Sequence, residues 1–496
     1  SSCDHAVGPL CSAHMLANAF TWLASHGGGS SLGINVSPDG LRGLCTTSAA
    51  EPGDVLLEVP LAACLSASLR STNDEAGTVQ PPACVEGMDW TVQLACSLLA
   101  QRQASTGESY LDAWTEAPPL PFFCDGDTER DEVLASGVDD RRVFASEQLD
   151  LVRAAAAEQD DTALAEALSV PADFDEALAI VWSRAFRIRA PRPIGSHYLL
   201  IPVVDLANHE ERPSAVYAAS PKNGGVIRLH AARRLSPGAA VTISYGEGDD
   251  AHFVEQYGFV PHSNRLNAVS LPLSTILQSA EPPAGSGADG PGDGNGDVDL
   301  GGAWSAERLR EMGVEDDGAQ LLAMNAAAPS KELTATLRLL LTGQSIGTLQ
   351  GVDWANGEWD GGRAGGFDEG DEAGAEATLR CVSRAATREA ARIVEATPEL
   401  DNPTEAGAVL LALRRSRLRL LESLSASADR LAGGFAQSRA AEGGGGGGGA
   451  SMAARMALEA AMMEAEPRPY PFSPKQMESF AAREWDWEAS RYGSSV

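Results

Sequence analysis

A chain of 496 residues has room for more than one hydrophobic core, because single cores rarely grow past about 250 to 300 residues, so two or three domains are expected. Its 69 Asp and Glu against 37 Lys and Arg leave a formal charge of -32, a field that repels phosphate backbones and anionic lipid and so argues against direct nucleic-acid or membrane binding. The eight cysteines form no CxxC pair and no cluster with His, so no zinc site, no other metal and no disulfide framework is expected; they read as reduced thiols of an intracellular protein.

Residues 34 to 66 read as strands broken by turns at Asp39-Gly40 and Pro52-Gly53, with the apolar run Val55 to Val59 stopped by Pro60. From Met88 to Gln103 the apolar residues Trp90, Leu94 and Leu98, with Val92, Cys96 and Leu99, recur three or four apart and predict a helix with one buried face. Pro118, Pro119 and Pro121 rule out a regular helix around Leu120, whereas Val143 to Leu168 is Ala-rich and helix-compatible. Phe174, Leu178, Val181, Trp182 and Phe186 predict another amphipathic helix. After Pro193 strands return: the apolar run Tyr198 to Val204, the alternating Val226 to His230, and Val241 to Tyr245 behind the Pro237-Gly238 turn.

Pro282 to Asp299 is Gly, Pro and Asp with almost no bulky apolar side chain and cannot offset its own ordering entropy, so a linker is expected there. Asn356 to Gly374 is a second such stretch, inside a region whose remaining segments read as helices: Lys331 to Leu341, Leu379 to Glu395, and Leu410 to Leu424 with Arg414, Arg415, Arg417 and Arg419 on its other sides. Gly443 to Gly449 is of low complexity, and the tail beyond it carries Trp485 and Trp487.

Two segments carry chemistry. Ile201 to His209 ends an apolar strand in Asp205, Asn208 and His209, polar groups that a core does not accept without partners. The other is Ile243-Ser-Tyr245-Gly246 followed by Gln256-Tyr257-Gly258-Phe259. Alone, an Asn-His at a strand end is a turn or cap, and tyrosines beside glycines are sheet-edge aromatics. The order of the motifs says more: Gly40-Leu41-Arg42-Gly43, Pro52 to Pro60, Trp182-Ser183-Arg184-Ala185-Phe186, Pro202 to His209, Ser236-Pro237-Gly238, Ser244-Tyr245-Gly246 and Tyr257-Gly258-Phe259. That series resembles the SET domains of the Rubisco large-subunit lysine methyltransferase family and of its relative, the actin-histidine methyltransferase. Ser109-Tyr110-Leu111 and Pro118 to Pro121 match the family's insert, and Ala408 to Leu424 resembles the last helix of its substrate-binding domain.

The resemblance implies an α+β fold: a SET-domain β core with a knot-like crossing and a helical insert, followed by an all-α substrate-binding domain. The expected boundaries are 15–265 for the SET domain with its insert at about 85–190, 266–300 for the linker, 301–430 for the helical domain with a disordered insert at 356–374, and 431–496 for low-complexity sequence and tail. It implies S-adenosylmethionine as cofactor and a protein lysine as target, with the partner docking on the helical domain of a monomer. Histidine methylation, and a SET-like binding module without catalysis, stay open as alternatives.

By the same resemblance Tyr245 is the catalytic tyrosine and Tyr257 a wall of the target-side-chain channel. Leu41, Arg42, Gly43, Asn208, His209 and Phe259 meet the cofactor, with Gly43 allowing close approach. Arg184 serves cofactor and substrate together, and Asp205 lies beside the substrate backbone. The sequence departs from the family pattern after Gly246, where Glu247, Gly248, Asp249 and Asp250 replace a basic or polar pair and Asn. Negative charge there bears on both cofactor affinity and substrate choice. The family allows chloroplast or cytoplasm, and the sequence does not choose.

Overall fold

The computed structural model describes residues 19–36, 41–67, 81–104, 118, 120, 141–189, 196–220, 225–272, 275, 279, 320–324, 372–396, 404–442 and 448–465. The Asp39-Gly40 turn, the expected linker 282–299, the helix at 331–341, the stretch 356–371, residues 443–447 and the tail from 466 lie outside them, as does most of the proline-rich segment.

Three small sheets build the first unit. Strands β1 (Gly29–Ser30), β4 (Val55–Pro60), β10 (Val226–Ala231) and β9 (Ala215–Ser220) form one, in the order β1-β4-β10-β9. Strands β2 (Leu32–Val36), β3 (Arg42–Thr46), β11 (Ala240–Ile243) and β8 (Asn208–His209) form the second, and β5 (Leu65–Ala67), β7 (Ser196–Leu200) and β6 (Ala185–Arg189) the third. Early and late strands thus interleave in every sheet, so the segment between them must leave the sheets and return.

That segment is the helical insert: α1 (Trp90–Ala104), α2 (Arg142–Glu158), α3 (Thr162–Ala167) and α4 (Pro171–Arg184). Helix α1 buries Val92, Leu94, Leu98 and Cys96, and shares one core with the strands; Trp90 stacks on Tyr198 of β7 with ring centroids 3.8 Å apart. The Ala-rich stretch is two helices rather than one, because Asp160 turns at φ 54° and Asp161 then caps α3, accepting from the Leu164 amide. Pro171 opens α4 at a position where a missing N–H costs nothing. The helix stops at Arg184; Phe186, expected on its apolar face, instead lies in β6 opposite Leu199 of β7. The apolar run from Tyr198 also ends early, at Leu200, and residues 204–206 form a 3-10 turn.

Helix α5 (Asp250–Tyr257) follows β11, and its left-handed C-cap is Gly258 at φ 71°, a conformation glycine takes without strain. Beyond it come β12 (Ala268–Pro272) and β13 (Gln320–Met324), an antiparallel pair, then α6 (Glu372–Ala396), α7 (Glu405–Glu442) and α8 (Gly448–Ala465). The second unit is therefore not all helical: Val269 and Leu271 of β12 are buried with Cys381 and Val382 of α6 and with Leu421 and Leu424 of α7. Two expected boundaries move. Residues 268–272, placed in the linker, are strand because this apolar stretch has a helical surface to cover. Helix α7 runs past 430 to Glu442 and α8 follows, because Leu431, Ala432 and Phe435 bury against Ala454 and Leu458.

Candidate active site

Strands β8 and β11 pair in parallel, Thr242 beside Asn208 and Ile243 beside His209, which brings the two motif segments side by side. A two-residue strand cannot hold its place on ladder bonds alone. Thr242 and Ser214 exchange backbone-to-hydroxyl hydrogen bonds at 2.8 and 3.1 Å, Thr242 Oγ1 donates to Glu210 at 2.6 Å, and the buried Ser214 hydroxyl donates to the Ala240 carbonyl at 3.0 Å.

From this frame Asn208 reaches over β3, and its Nδ2 donates to the Arg42 carbonyl at 2.8 Å. A Cβ on Gly43 would stand 2.6 Å from that nitrogen. The glycine thus makes room for the Asn208 carboxamide, and not first for a ligand as its sequence position implied. His209 accepts the Tyr245 amide hydrogen at Nδ1, 3.2 Å away, which fixes that nitrogen as the unprotonated one. Burial holds the His209 imidazole below its ordinary pKa, against the opposing pull of Glu211 and Glu210.

Tyr245 leaves the end of β11 and donates its hydroxyl to the Ala207 carbonyl at 2.9 Å. Tyr257, at the C-terminus of α5, donates to the Tyr245 carbonyl at 2.8 Å, with the two rings 4.7 Å apart. Burial pushes the Tyr245 phenol up to about 12 and raises Tyr257 too, so both stay protonated at neutral pH. Phe253 and Phe259 complete the cluster: His209 lies 4.7 Å from Phe253, Phe259 lies 5.7 Å from Phe253, and Phe259 meets Tyr245 edge-on at 6.3 Å. A shallow open cleft beside the cluster is lined by His209, Glu211, Gly246, Phe253, Asn264 and Arg265.

Arg184 sits where α4 turns into β6, and its guanidinium pairs with Asp205 at 3.1 Å; the Asp205 side chain is 0 % exposed. Both residues expected at cofactor and substrate are therefore engaged with each other. Leu41 is 58 % exposed, and Arg42 is half-buried and lies close enough to lower the Tyr245 phenol. The structure thus gathers Tyr245, Tyr257, Asn208, His209 and Phe259 into one cluster, joins Gly43 and Arg42 to it through Asn208, and sets Arg184 with Asp205 beside it.

The acidic stretch after Gly246 has its own local duties. Asp249 is the N-cap of α5, accepting from the His252 amide at 2.8 Å, and Asp250 is buried. Glu247 is answered by Arg265, which also pairs with Glu211 at 3.2 Å. Sequence reasoning missed Phe253, although its spacing of four from Tyr257 places both on one helix face. It also missed Val203, a buried β-branched residue held at φ 69° immediately before the 3-10 turn that carries Asp205; such strain persists only where the surroundings enforce it. Tyr217 of β9 was missed as well: burial raises its phenol, it meets Phe186 edge-on at 5.1 Å, and it lies near enough to raise Tyr257.

No protein-family profile and no curated protein matches the chain. Solved structures do. The SET domain of LSMT bound to methyl-lysine and S-adenosylhomocysteine superposes with a TM-score of 0.53 at 16% identity, over 85% of this chain and 93% of that one. The fold is that of a SET domain. Rubisco LSMT bound to S-adenosylmethionine gives 0.51 at 15% identity, over 85% and 93%, and its complex with sinefungin and monomethyllysine gives 0.50 at 15%, over 86% and 92%. At these identities the likeness establishes the SET fold, so the chemistry must be argued from the residues. Among the described residues no group of three or more His, Cys, Asp and Glu is placed to hold a metal ion, and no helix is long and apolar enough to cross a membrane.

Proposed function

We propose that this protein is an S-adenosylmethionine-dependent protein-lysine N-methyltransferase acting on a non-histone protein. The observation that carries the reading is the pair of half-buried tyrosines, Tyr245 and Tyr257, each tied by its hydroxyl to a backbone carbonyl and set beside Asn208 and His209 on a SET fold.

The cofactor's donor set fits these residues. The Phe259 ring offers a stacking partner, the Asn208–Arg42 bond holds the backbone of β3 in place, and the cleft beside His209 is open to solvent. Leu41, Arg42, Gly43, Asn208, His209 and Phe259 are the residues we assign to hold it. When bound, S-adenosylmethionine supplies an activated methyl group on a sulfonium. The protein's task is then to hold an amine in line with that methyl and to keep it neutral. A lysine ammonium has a reference pKa of about 10.4, and a dry aromatic wall disfavours the charged form, freeing the lone pair. Tyr257 and Tyr245 supply that wall, and because their phenols stay protonated they add no counter-charge to retain the ammonium.

Tyr245 is the residue we assign to the reacting centre. The buried Arg184–Asp205 pair we assign to the substrate side, where it holds the 3-10 turn in place. The partner protein we place on α6 to α8. Calorimetry with S-adenosylhomocysteine tests the cofactor half of the reading. Wild type should bind it, and Gly43→Ala, which drives a methyl into Asn208, should weaken binding by at least about tenfold through loss of the Asn208–Arg42 bond. Absence of binding by wild type would overturn the reading.

A further inference from the structure

Helix α5 stands between the strand-built unit and the helical one, and its first residue, Asp250, is 3 % exposed. Its carboxylate takes two donors from outside its own helix: the Ser416 hydroxyl of α7 on Oδ2 at 2.5 Å, and Asn264 Nδ2 on Oδ1 at 2.9 Å. The circuit closes through Asn267, whose Nδ2 donates to Ser416 Oγ at 3.0 Å and whose Oδ1 accepts the Asp250 amide hydrogen at 3.2 Å. Asn264 Nδ2 also donates to the Gly248 carbonyl at 3.0 Å, and Asn264 Oδ1 accepts from the Leu266 amide at 2.9 Å. Ser416 is 8 % exposed, and beside it Val254 of α5 packs on Leu410 and Leu413 of α7.

An apolar contact alone would have joined the two helices. A buried carboxylate that costs desolvation is favourable only with every partner in place, so it selects one register of α5 against α7 over its neighbours. What hangs on that register is the candidate site. The far end of α5 carries Tyr257, its middle carries Phe253 against His209, and the loop tied in by Asn264 and Asn267 supplies Asn264, Arg265 and Leu266 to the cleft wall.

We infer that Ser416 is a positioning residue through which the helical unit sets the aromatic channel wall. It touches neither methyl nor amine; it acts through Asp250 and α5. The inference rests on the methyltransferase reading for its catalytic consequence and on the hydrogen-bond circuit for its structural one. It also gives the acidic stretch after Gly246 a purpose, since Asp250 is the partner that Ser416 requires.

The test uses the full chain as wild type, Ser416→Ala and Ser416→Thr, the last keeping the hydroxyl. Hydrogen exchange read by mass spectrometry should rise about tenfold over residues 250–267 in Ser416→Ala, stay unchanged in β4 and β10, and return toward wild type in Ser416→Thr. Methyl transfer to soluble-lysate proteins by the Ala variant should fall severalfold with KM for S-adenosylmethionine little changed. Unchanged exchange over 250–267, a uniform rise across the chain, or normal turnover despite faster exchange would each overturn the positioning role. If wild type transfers no methyl at all, the methyltransferase reading falls, while the exchange result still decides whether Ser416 holds α5.

Discussion

Tyr245 commits its hydroxyl to the Ala207 carbonyl and its backbone carbonyl to Tyr257, so the phenol is held in place before any substrate arrives. Removing the hydroxyl leaves a carbonyl short of its donor, at a cost of about 1 to 3 kcal/mol, and frees the ring to shift. Tyr245→Phe should therefore lower turnover by about tenfold or more while S-adenosylhomocysteine affinity changes less than about threefold. Equal loss of both, in kinetics and calorimetry on the same preparation, would make Tyr245 structural. Gly43 and Asn208 teach a related lesson: the glycine's small size was visible in the sequence, but its neighbour was a side chain 165 positions away, which no local pattern announces.

At the scale of elements, α5 decides how the acidic stretch is to be understood. Asp249 caps the helix and Asp250 anchors it, so these charges serve the fold before they bear on any cofactor. Asp249→Ala should cost about 1 kcal/mol in denaturant unfolding, whereas Asp249→Asn, which keeps the capping oxygen, should stay within a few tenths. A large loss in both variants would mean that charge, not capping, matters there. The cap was legible in hindsight, an Asp directly before an apolar-periodic segment. Helices α1 and α4 were legible from spacing, although α1 is buried on nearly every side from Thr91 to Leu99 rather than on one face. The motif order marked the segments of β8 and β11, but Asn208 and His209 read as the end of the Tyr198 strand and not as a strand of their own. The parallel pairing of β8 and β11 was not legible, because its partners come from segments some 34 residues apart and the register is held by Thr242, Ser214 and Glu210, ordinary residues in sequence. Phe186 went astray because an apolar residue at helical spacing reads alike whether the helix continues or hands over to a strand. The strand β12 was missed for the opposite reason: its apolar residues find their cover on helices more than a hundred residues later.

Across the molecule, two histidines link the site to pH. Burial holds His209 and His252 below 6.5, with Glu210 and Glu211 facing the first and Asp249 and Arg141 the second. An unfolded histidine binds its proton near 6.5 and the folded ones only at lower pH, so the unfolded state takes up more protons in that window. The stability these groups contribute is complete above 6.5 and is lost as pH falls through their folded values. Urea midpoints should fall between about pH 7.5 and about pH 5.5, and the fall should be smaller in His209→Asn. An equal fall in wild type and variant would show that His209 does not contribute.

The central claim is methyl transfer to a protein lysine, and the most direct measurement is transfer of labelled methyl from S-adenosylmethionine to proteins of a soluble lysate, with mass spectrometry of the labelled residue. Label on a lysine, lower by about tenfold or more when the Tyr245→Phe variant replaces wild type, is the expected result. Label on histidine would contradict the lysine assignment, and no label with no cofactor binding would contradict the enzyme reading itself.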